Sequence, residues 1–582
     1  MASDGQEDAD EAMELWLPFG TAAAADEEDQ EAEDDLHEGF TAEEYRTTLK
    51  VLAVLASDLD RYASRTYKEL RTTLRPIVSH DSGRNFAGFS WDEYKSSKHR
   101  KQETNFRRMK QRQMDQKLIE SRRLRAQRLD ALQRIQDQAR QHELEHVAVP
   151  DGPALSYSEQ LALTEASDPP AEETCSLEHI LRSCYICKAR YQELHHFYDQ
   201  LCPACAALNW EKRHLKADMS GRISLVTGGR IKIGYQIVLK LLRAGSHVIV
   251  TTRFPQNCFQ RLEQEPDSAA WLDRVQIYGL DLRNLAAVES FCTWMREHHE
   301  WLDVIINNAC QTIRRPPAYY RHLLQDEVSP AALPPQVCQN NVMISDMLAQ
   351  LQLGPAPEPP TPEPPTATSA APARLDAASL PHSALAALST QIPMTLEDYD
   401  DNVEHFPTGL TDVHAQQIDL RTKTSWVMKL EEVSTPEAAE VMAVNALSPF
   451  VLNGKLRPLM VRSPHADRYI VNVSAMEGKF YRFKTPNHPH TNMAKAALNM
   501  MTRTSAADYA QAGIYMNAVD TGWINDENPL DKAVRIAEEH NFQTPIDEVD
   551  AAARVVHPVF AGVGSGEQLQ GLFLKDYVET AW

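Results

Sequence analysis

The sequence predicts an α/β protein built on a doubly wound parallel sheet, and three observations carry that reading. First, after Ser220 short β-rich runs alternate with helix-favouring stretches. RISLVTGG, SHVIVTTR, VQIYGLDLRN and WLDVIINNAC read as buried strands, and IGYQIVLKLLRAG between the first two reads as a helix. Strands that alternate with helices pair in parallel, because each crossover returns the chain to the same end of the sheet. Second, a glycine-bearing turn, TGGRIKIG, closes the first strand and opens the helix. Third, RYIVNVSA, GIYMNAVDTGWI and GLFLKDYVETAW supply further strands late in the chain. In such sheets ligands collect at the carboxyl ends of the strands.

A small metal-binding element and a charged helical region precede that sheet. At 582 residues the chain exceeds one ordinary core, so two or more domains with linkers are expected. Residues 1–40 are acidic, lack Lys and Arg, and read as a disordered tail. Order begins at FTAEEY. Thr41 with Glu44 fits a capping box, and Phe40 with Tyr45 fits a hydrophobic staple. Tyr45, Leu49, Leu52, Leu55, Leu59 and Tyr62 recur at helical spacing, predicting one amphipathic helix that ends near Arg75-Pro76. The helical charged region extends over 41–147. Its basic part, SRRLRAQRLDALQRIQDQ included, reads as a long solvated helix carrying intermittent apolar contacts, with an arm for RNA or an acidic partner as the alternative. Residues 148–173, with VPDGP and SDPPAEE, read as a linker.

Net charge is −23, so the chain is not a generic nucleic-acid binder, and only Phe106 interrupts the basic part to stack a base. No apolar run approaches the ~18 residues of a membrane span. The acidic N-terminus resembles neither a signal nor a transit peptide. Nine cysteines are too few for a disulfide scaffold of this size. These features predict a soluble protein of a reducing compartment, the cytoplasm first and the nucleus also open.

Four of the cysteines are paired. CYICKARYQELHHFYDQLCPAC sets Cys184 and Cys187 two residues apart and Cys202 and Cys205 likewise. Two such turns bring four thiolates onto one tetrahedral ion, and with all positions filled no catalytic water can bind. A structural Zn2+ in a knuckle over 174–216 is therefore expected, worth on the order of 10 kcal/mol to a small element. His195 and His196 lie inside the loop and read as packing residues. The knuckle and the basic helix are the candidate surfaces for a protein partner.

The residues from 220 onward resemble the short-chain dehydrogenase/reductase family over about 220–310 and 432–582, with an insertion at 311–430. The resemblance implies a Rossmann-like domain over 220–582, a nicotinamide cofactor and a small-molecule carbonyl or alcohol substrate. Thr227, Gly228 and Gly234 match the family's glycine motif, but Lys232 replaces the middle glycine. Arg230 and Ile233 belong to the same turn. Where the second strand ends, Thr252 and Arg253 stand in place of an acidic residue. With Arg230 nearby, this favours NADP(H) over NAD(H). Asp281 and Leu282 match the adenine-side motif, and Asn307, Asn308 and Ala309 match the family's NNAG, with Cys310 expected to be a buried small residue. Gly522 retains the turn that meets the nicotinamide, with Thr521 for the usual proline. The insertion holds GPAPEPPTPEPPTATSAAPAR, read as a disordered loop near 354–374 whose flanks cover the site mouth. Family members often pair, so a homo-oligomer is open.

The resemblance also implies the catalytic set. Asn445, Ser474 and Lys495 are present, but the tyrosine that moves the proton is Thr491, four residues before Lys495. Threonine's hydroxyl is far less acidic than a phenol of pKa ~10. His490, His488 and Tyr481 are the candidate replacements. Two readings follow: an NADP(H)-dependent oxidoreductase with an altered proton donor, or a weakened dinucleotide-binding scaffold whose zinc element holds partners.

Overall fold

A computed structural model describes residues 39–74, 91–130, 133–134, 175–328, 333–338, 382–412, 414–480, 483–524, 527 and 543–582. The acidic tail up to residue 38, the Arg75-Pro76 stop, the 148–173 linker, the 354–374 loop and Tyr481 lie outside the described residues. The chain divides into two compact units, Met1–Arg107 and Arg108–Trp582. Among the described residues no helix is long and apolar enough to cross a membrane.

In the first unit, helix α1 (Ala42–Ala56) opens on the expected capping box: Thr41 accepts from the Glu44 amide, and Glu44 accepts from the Thr41 amide at 2.8 Å. Phe40 and Tyr45 stack at 6.3 Å. The helix does not run to Tyr62 as expected. It stops at Ser57, and Asp58 caps a separate short helix, Leu59–Ala63, by accepting from the Arg61 amide. An Asx side chain offers the backbone a local alternative to continuing the helix, and apolar spacing carries no sign of that competition.

Helix α2 (Trp91–Glu120) runs past Arg108 into the second unit. Residues 99–114 are exposed, as expected of a solvated helix, and the intermittent contacts fall beyond them. The turn at 121–122 starts a second helical stretch, 123–130, and Ile119, Leu124 and Arg125 are buried. Arg125 pairs with Asp199 at 3.1 Å, and Asp115 accepts the amides of Glu178, His179 and Ile180. Arg128 donates to the carbonyls of Ile524, Thr544 and Ile546. Both arginines make joints within the chain.

The knuckle has two short antiparallel pairings, Cys175–Ser176 with Glu193–Leu194 and Arg182–Ser183 with Arg190–Tyr191. Helix α3 (Pro203–Arg213) follows. His195 and His196 pack against Trp210, as expected of filler residues, and burial presses His195 down to about 4. The knuckle core of Leu177, Leu194, Phe197, Tyr198 and Leu201 includes Ile546 from near the end of the chain. Arg213 bridges Asp547 at 2.6 Å and Asp550 at 3.0 Å, and Tyr198 donates to Asp550 at 2.7 Å. The knuckle is thus docked on the sheet domain, not tethered beside it.

The main sheet comprises β1 (Ile223–Thr227), β2 (His247–Thr252), β3 (Val275–Gly279), β4 (Val304–Asn307), β5 (Val337–Cys338), β6 (Arg468–Ser474), β7 (Ile514–Asp520), β8 (Phe573–Lys575) and β9 (Val578–Thr580). Their order is β9-β8-β7-β6-β4-β1-β2-β3-β5, parallel except for the β8–β9 pair. The expected strands all form, and β5 adds an insertion strand to one edge. Helix α4 (Lys232–Arg243) and helix α5 (Pro255–Glu263) cover the sheet, while α6 (Leu285–His298) and α7 (Pro317–Glu327) follow β3 and β4. Helices α8 (Thr435–Met442), α9 (Ser448–Val461) and α10 (Pro489–Gln511) frame β6, and α11 (Glu548–Ser565) is buried along most of its length against α4 and α3. Strands covered on both faces read as continuous apolar runs, which is why the sequence exposed them. The order reverses between β1 and β4, and that switch point opens the site.

Candidate functional site

A cleft of about 1230 Å3 runs along the carboxyl ends of β1, β2, β4, β6 and β7. Its floor is set by Thr227, which lies beneath the cleft. Its Oγ1 accepts the amides of Asn308 at 3.0 Å and Ala309 at 3.1 Å, locking β1 to the segment after β4. Asn308 returns its side-chain amide to the carbonyls of Thr227 and Gly228. Asn307 does not line the cleft. It donates to Asn453 and Asn472, both at 2.8 Å, inside the core. Cys310 is exposed and lines the cleft, so its expected burial is corrected: the chain turns outward once β4 ends.

The glycine turn keeps its shape. A Cβ at Gly234 would stand 2.1 Å from the Gly228 carbonyl oxygen, and Gly228 adopts φ +69° against Ala309. Gly228, Arg230, Ile233 and Gly234 all line the cleft. Lys232 takes φ +52°, the backbone region that favours the glycine it replaces. Helix α4 begins there with no side-chain cap at Ile231, so its first amides face the cleft end unpaired by a cap and suit an anion. Left-handed backbone costs an L residue on the order of 1 kcal/mol. Lys232→Gly is therefore expected to raise unfolding stability by roughly 0.5–1 kcal/mol in a urea titration. If the Lys232 side chain obstructs the cofactor, the same change will also tighten NADPH binding.

At the end of β2, Arg230 and Arg253 form a basic corner. Arg253 donates to the Tyr320 hydroxyl at 3.0 Å and lies over the Tyr320 and Phe254 rings. Arg230 donates to Asn257 at 2.8 Å and Gln416 at 2.6 Å. Neither is ion-paired with a carboxylate among the described residues, although Asp281 feels the charge of Arg253 and Glu327 that of Arg230. Burial first, then the like charge of Arg261 and Arg253, presses Arg230 down to about 10. An anion in the corner would relieve that repulsion. Asp281 is less available than expected. It binds Arg283 at 2.6 Å and accepts from Ser389 at 2.6 Å, while Leu282 lines the wall beside it.

Gln416, Gln417, Ile418, Asp419 and Trp426, from the flank of the insertion, line the mouth as expected. Arg314, buried, ties this flank down through Asp398 and Glu440. Asn445 sits in a π-helical turn between α8 and α9 and clamps Gln311 in both directions, at 2.8 and 3.0 Å. It positions the segment after β4 and does not itself line the cleft.

Ser474, Thr491 and Lys495 do line it. Ser474 donates to Asn499 at 2.6 Å, and Lys495 donates to the Val473 carbonyl at 2.8 Å. Thr491 is buried, and its Oγ1 has no partner among the described residues. His490 is corrected out of the site. It is buried with Nε2 3.7 Å from Glu437, and it does not line the cleft. One residue changes that outcome: a helix turn spreads neighbours by ~100°, so His490 and Thr491 cannot share a face. Of the two candidate histidines, His488 is the one that reaches the cleft. It precedes α10 with φ +42°, stacks on Trp426 at 3.9 Å, donates from Nδ1 to the Trp426 carbonyl at 2.8 Å, and lines the cleft. Burial leads in holding its pKa below the usual histidine value.

Sequence reasoning missed several cleft residues. Asp520 ends β7 directly across from Ser474, accepts the Gly522 amide at 2.7 Å and stands 3.9 Å from Lys575. Burial pushes its carboxyl upward. Its place at a strand's carboxyl end was the available signal. Gly522, which the sequence did single out, has φ +82° and lines the same end. Tyr185, Ile186 and Lys188 of the knuckle complete that wall, which no local pattern announces. The four cysteine sulfurs, Cys184, Cys187, Cys202 and Cys205, lie within 4.8 Å of one another, with Cys187 and Cys202 3.6 Å apart. Thiolates ~2.3 Å from a tetrahedral centre stand about 3.8 Å apart, so the set fits one ion.

A doubly wound sheet, a glycine turn at its switch point and a Ser/Lys pair on the neighbouring strand and helix define a dinucleotide-binding oxidoreductase class. Two stretches of the chain match families of the short-chain dehydrogenase type. Residues 222–326 match the short chain dehydrogenase family, and residues 412–558 match the enoyl-(acyl carrier protein) reductase family. An uncharacterised protein of Acanthamoeba polyphaga mimivirus is 30% identical over 394 residues, 65% of this chain and 72% of that protein. A probable oxidoreductase of Streptomyces lividans is 39% identical over 92 residues, which is 16% of this chain and 29% of the relative. The RhlG/NADP active-site complex of Pseudomonas aeruginosa is 16% identical, with 62% of this chain and 97% of that one covered at a TM-score of 0.37.

Proposed function

We propose that this chain is an NADP(H)-dependent oxidoreductase acting on a small carbonyl or alcohol compound. The observation that carries the cofactor choice is the basic corner of Arg230 and Arg253, two guanidiniums not ion-paired with a carboxylate among the described residues, at the end of β2. A ribose 2′-phosphate supplies the missing charge. The uncapped start of α4 suits the pyrophosphate, and the absent side chains at Gly228 and Gly234 leave room for it. Bound NADP(H) would supply or accept a hydride.

The chain's own residues do the rest. Ser474 donates a hydrogen bond to the reacting oxygen, turning its proton away from Asn499. Lys495 holds the nicotinamide-side ribose and keeps positive charge beneath the site. His488 moves the proton at Nε2, its Nδ1 proton being committed to Trp426. Thr491 fills space. The sign of the pH dependence follows. A neutral imidazole accepts the proton of an alcohol, and its lowered pKa extends alcohol oxidation below pH 6.5. Carbonyl reduction needs the imidazolium and falls as pH rises through the same pKa.

The four cysteines would hold one structural Zn2+, with no open position for catalysis. The test of the function is an equilibrium titration of the zinc-loaded chain with NADPH and NADH, followed by nicotinamide fluorescence. Micromolar NADPH binding with weaker NADH binding is expected. Failure of both to bind would leave the cleft as a scaffold feature and overturn the reading.

A further inference from the structure

We propose that Tyr185 is a positioning residue of the substrate end of the cleft, held in place by the metal clip on either side of it. The inference rests on the oxidoreductase reading of that cleft. Tyr185 and Ile186 are the two residues between Cys184 and Cys187, and both line the cleft. The Tyr185 hydroxyl accepts the backbone amide of Trp523 at 3.1 Å. Trp523 follows Asp520, Thr521 and Gly522, the turn that leaves β7, and Asp520 is in register with Ser474 on β6. One hydrogen bond therefore ties the knuckle to the turn that leaves the strand paired with that of Ser474. Lys575, from the neighbouring strand β8, stands 6.0 Å from the centre of the same ring.

The knuckle holds Tyr185 firmly from its own side. The Tyr185 amide donates to the Gln200 carbonyl at 2.9 Å, and Cys184 exchanges backbone bonds with Lys188 and Ala189 at 3.1 and 2.9 Å. Lys188 takes φ +62° to close this tight turn. Gln200 donates onward to the Gln543 carbonyl, and Arg128 donates to the carbonyls of Ile524, Thr544 and Ile546. Both ends of the chain between Ile524 and Gln543 are thus anchored on the knuckle side, and Thr544 donates to Ile524 at 3.0 Å to join them. The hydrogen of the Tyr185 hydroxyl finds no acceptor among the described residues and is available to an oxygen in the cleft. Removing the metal would break the link between the Cys184–Cys187 turn and Cys202 and Cys205, and so loosen the turn that carries Tyr185. The glycine turn at 227–234 rests on Asn308 and Ala309 instead and would be unaffected.

The test uses the full chain in three forms: zinc-loaded, chelator-treated, and Tyr185→Phe with zinc. Zinc content, amide hydrogen exchange of the peptide holding Trp523, and nicotinamide fluorescence of bound NADPH are read on each. In Tyr185→Phe the Trp523 amide is expected to exchange about fivefold to tenfold faster, as loss of one hydrogen bond implies. Zinc stays stoichiometric, NADPH Kd stays within about twofold, and the emission maximum of bound NADPH moves to longer wavelength as water enters the substrate end. Chelation is expected to give the same exchange and emission changes, with slow exchange kept at 227–234. Unchanged Trp523 exchange in Tyr185→Phe overturns the proposal, even if the chelated chain unfolds. So does a chain that binds no zinc yet keeps the Trp523 amide slow. NADPH failing to bind the unaltered chain would instead overturn the oxidoreductase reading, and the substrate-site role with it.

Discussion

Ser474→Ala is expected to lower the single-turnover rate of NADPH oxidation by about 10²–10³-fold across a panel of carbonyl compounds. A hydrogen-bond donor aimed at the oxygen where charge develops contributes at this level. Ser474 meets the requirement at the end of β6: it lines the cleft, and its hydroxyl already has a single defined acceptor in Asn499. NADPH affinity should hold within about twofold, because Ser474 lies away from the glycine turn and the basic corner. The comparison variants separate the roles. Thr491→Val should change the rate less than about threefold, since its hydroxyl is buried without a partner among the described residues and is a poor acid. His488→Gln should slow it by about 10²-fold and flatten the pH profile. Equal rates for Ser474→Ala and the unaltered chain would remove the serine from the reaction. A large loss in Thr491→Val would return the proton step to the threonine.

Arg253→Ala is expected to weaken NADPH binding by about 10- to 100-fold and to leave NADH nearly unchanged. The estimate follows from losing a charge-assisted contact worth roughly 1.5–3 kcal/mol. The difference between the two cofactors is one phosphate, so the ratio of their affinities isolates the corner. Arg230→Ala should act in the same direction with an added stability loss, because its guanidinium also links Asn257 to Gln416 of the insertion. Raising salt should narrow the NADPH advantage, as screening predicts for a contact made by charge. If both cofactors lose affinity equally, the arginines shape the cleft without reading the phosphate.

The fold was legible because each layer leaves a periodic trace. Buried parallel strands are unbroken apolar runs, glycines mark the turn at the switch point, and the paired cysteines announce a four-thiolate cluster by spacing alone. The capping box at Thr41 and Glu44 is equally local, resting on two bonds between residues three apart. Where competing local bonds decide, spacing misleads. The helix after Phe40 breaks at Asp58 because a carboxylate captures the Arg61 amide.

By itself, then, the sequence determined the doubly wound sheet, the order of its strands along the chain and the glycine turn that closes the first of them. These depend on short-range periodicity and on residues a few positions apart. Only the tertiary structure decided which side chains face the cleft. His488 entered and His490 left by the phase of one helix turn. Cys310 came to the surface because the chain swings out after β4. Arg125, which looks like part of a solvated basic face, became a buried joint to Asp199 of the knuckle, and half-buried Arg128 ties Ile524 to Ile546. Tyr185 reached the substrate end across more than three hundred residues of chain to meet Trp523. Contacts of that separation depend on how layers stack in three dimensions, and no local pattern in the chain encodes them.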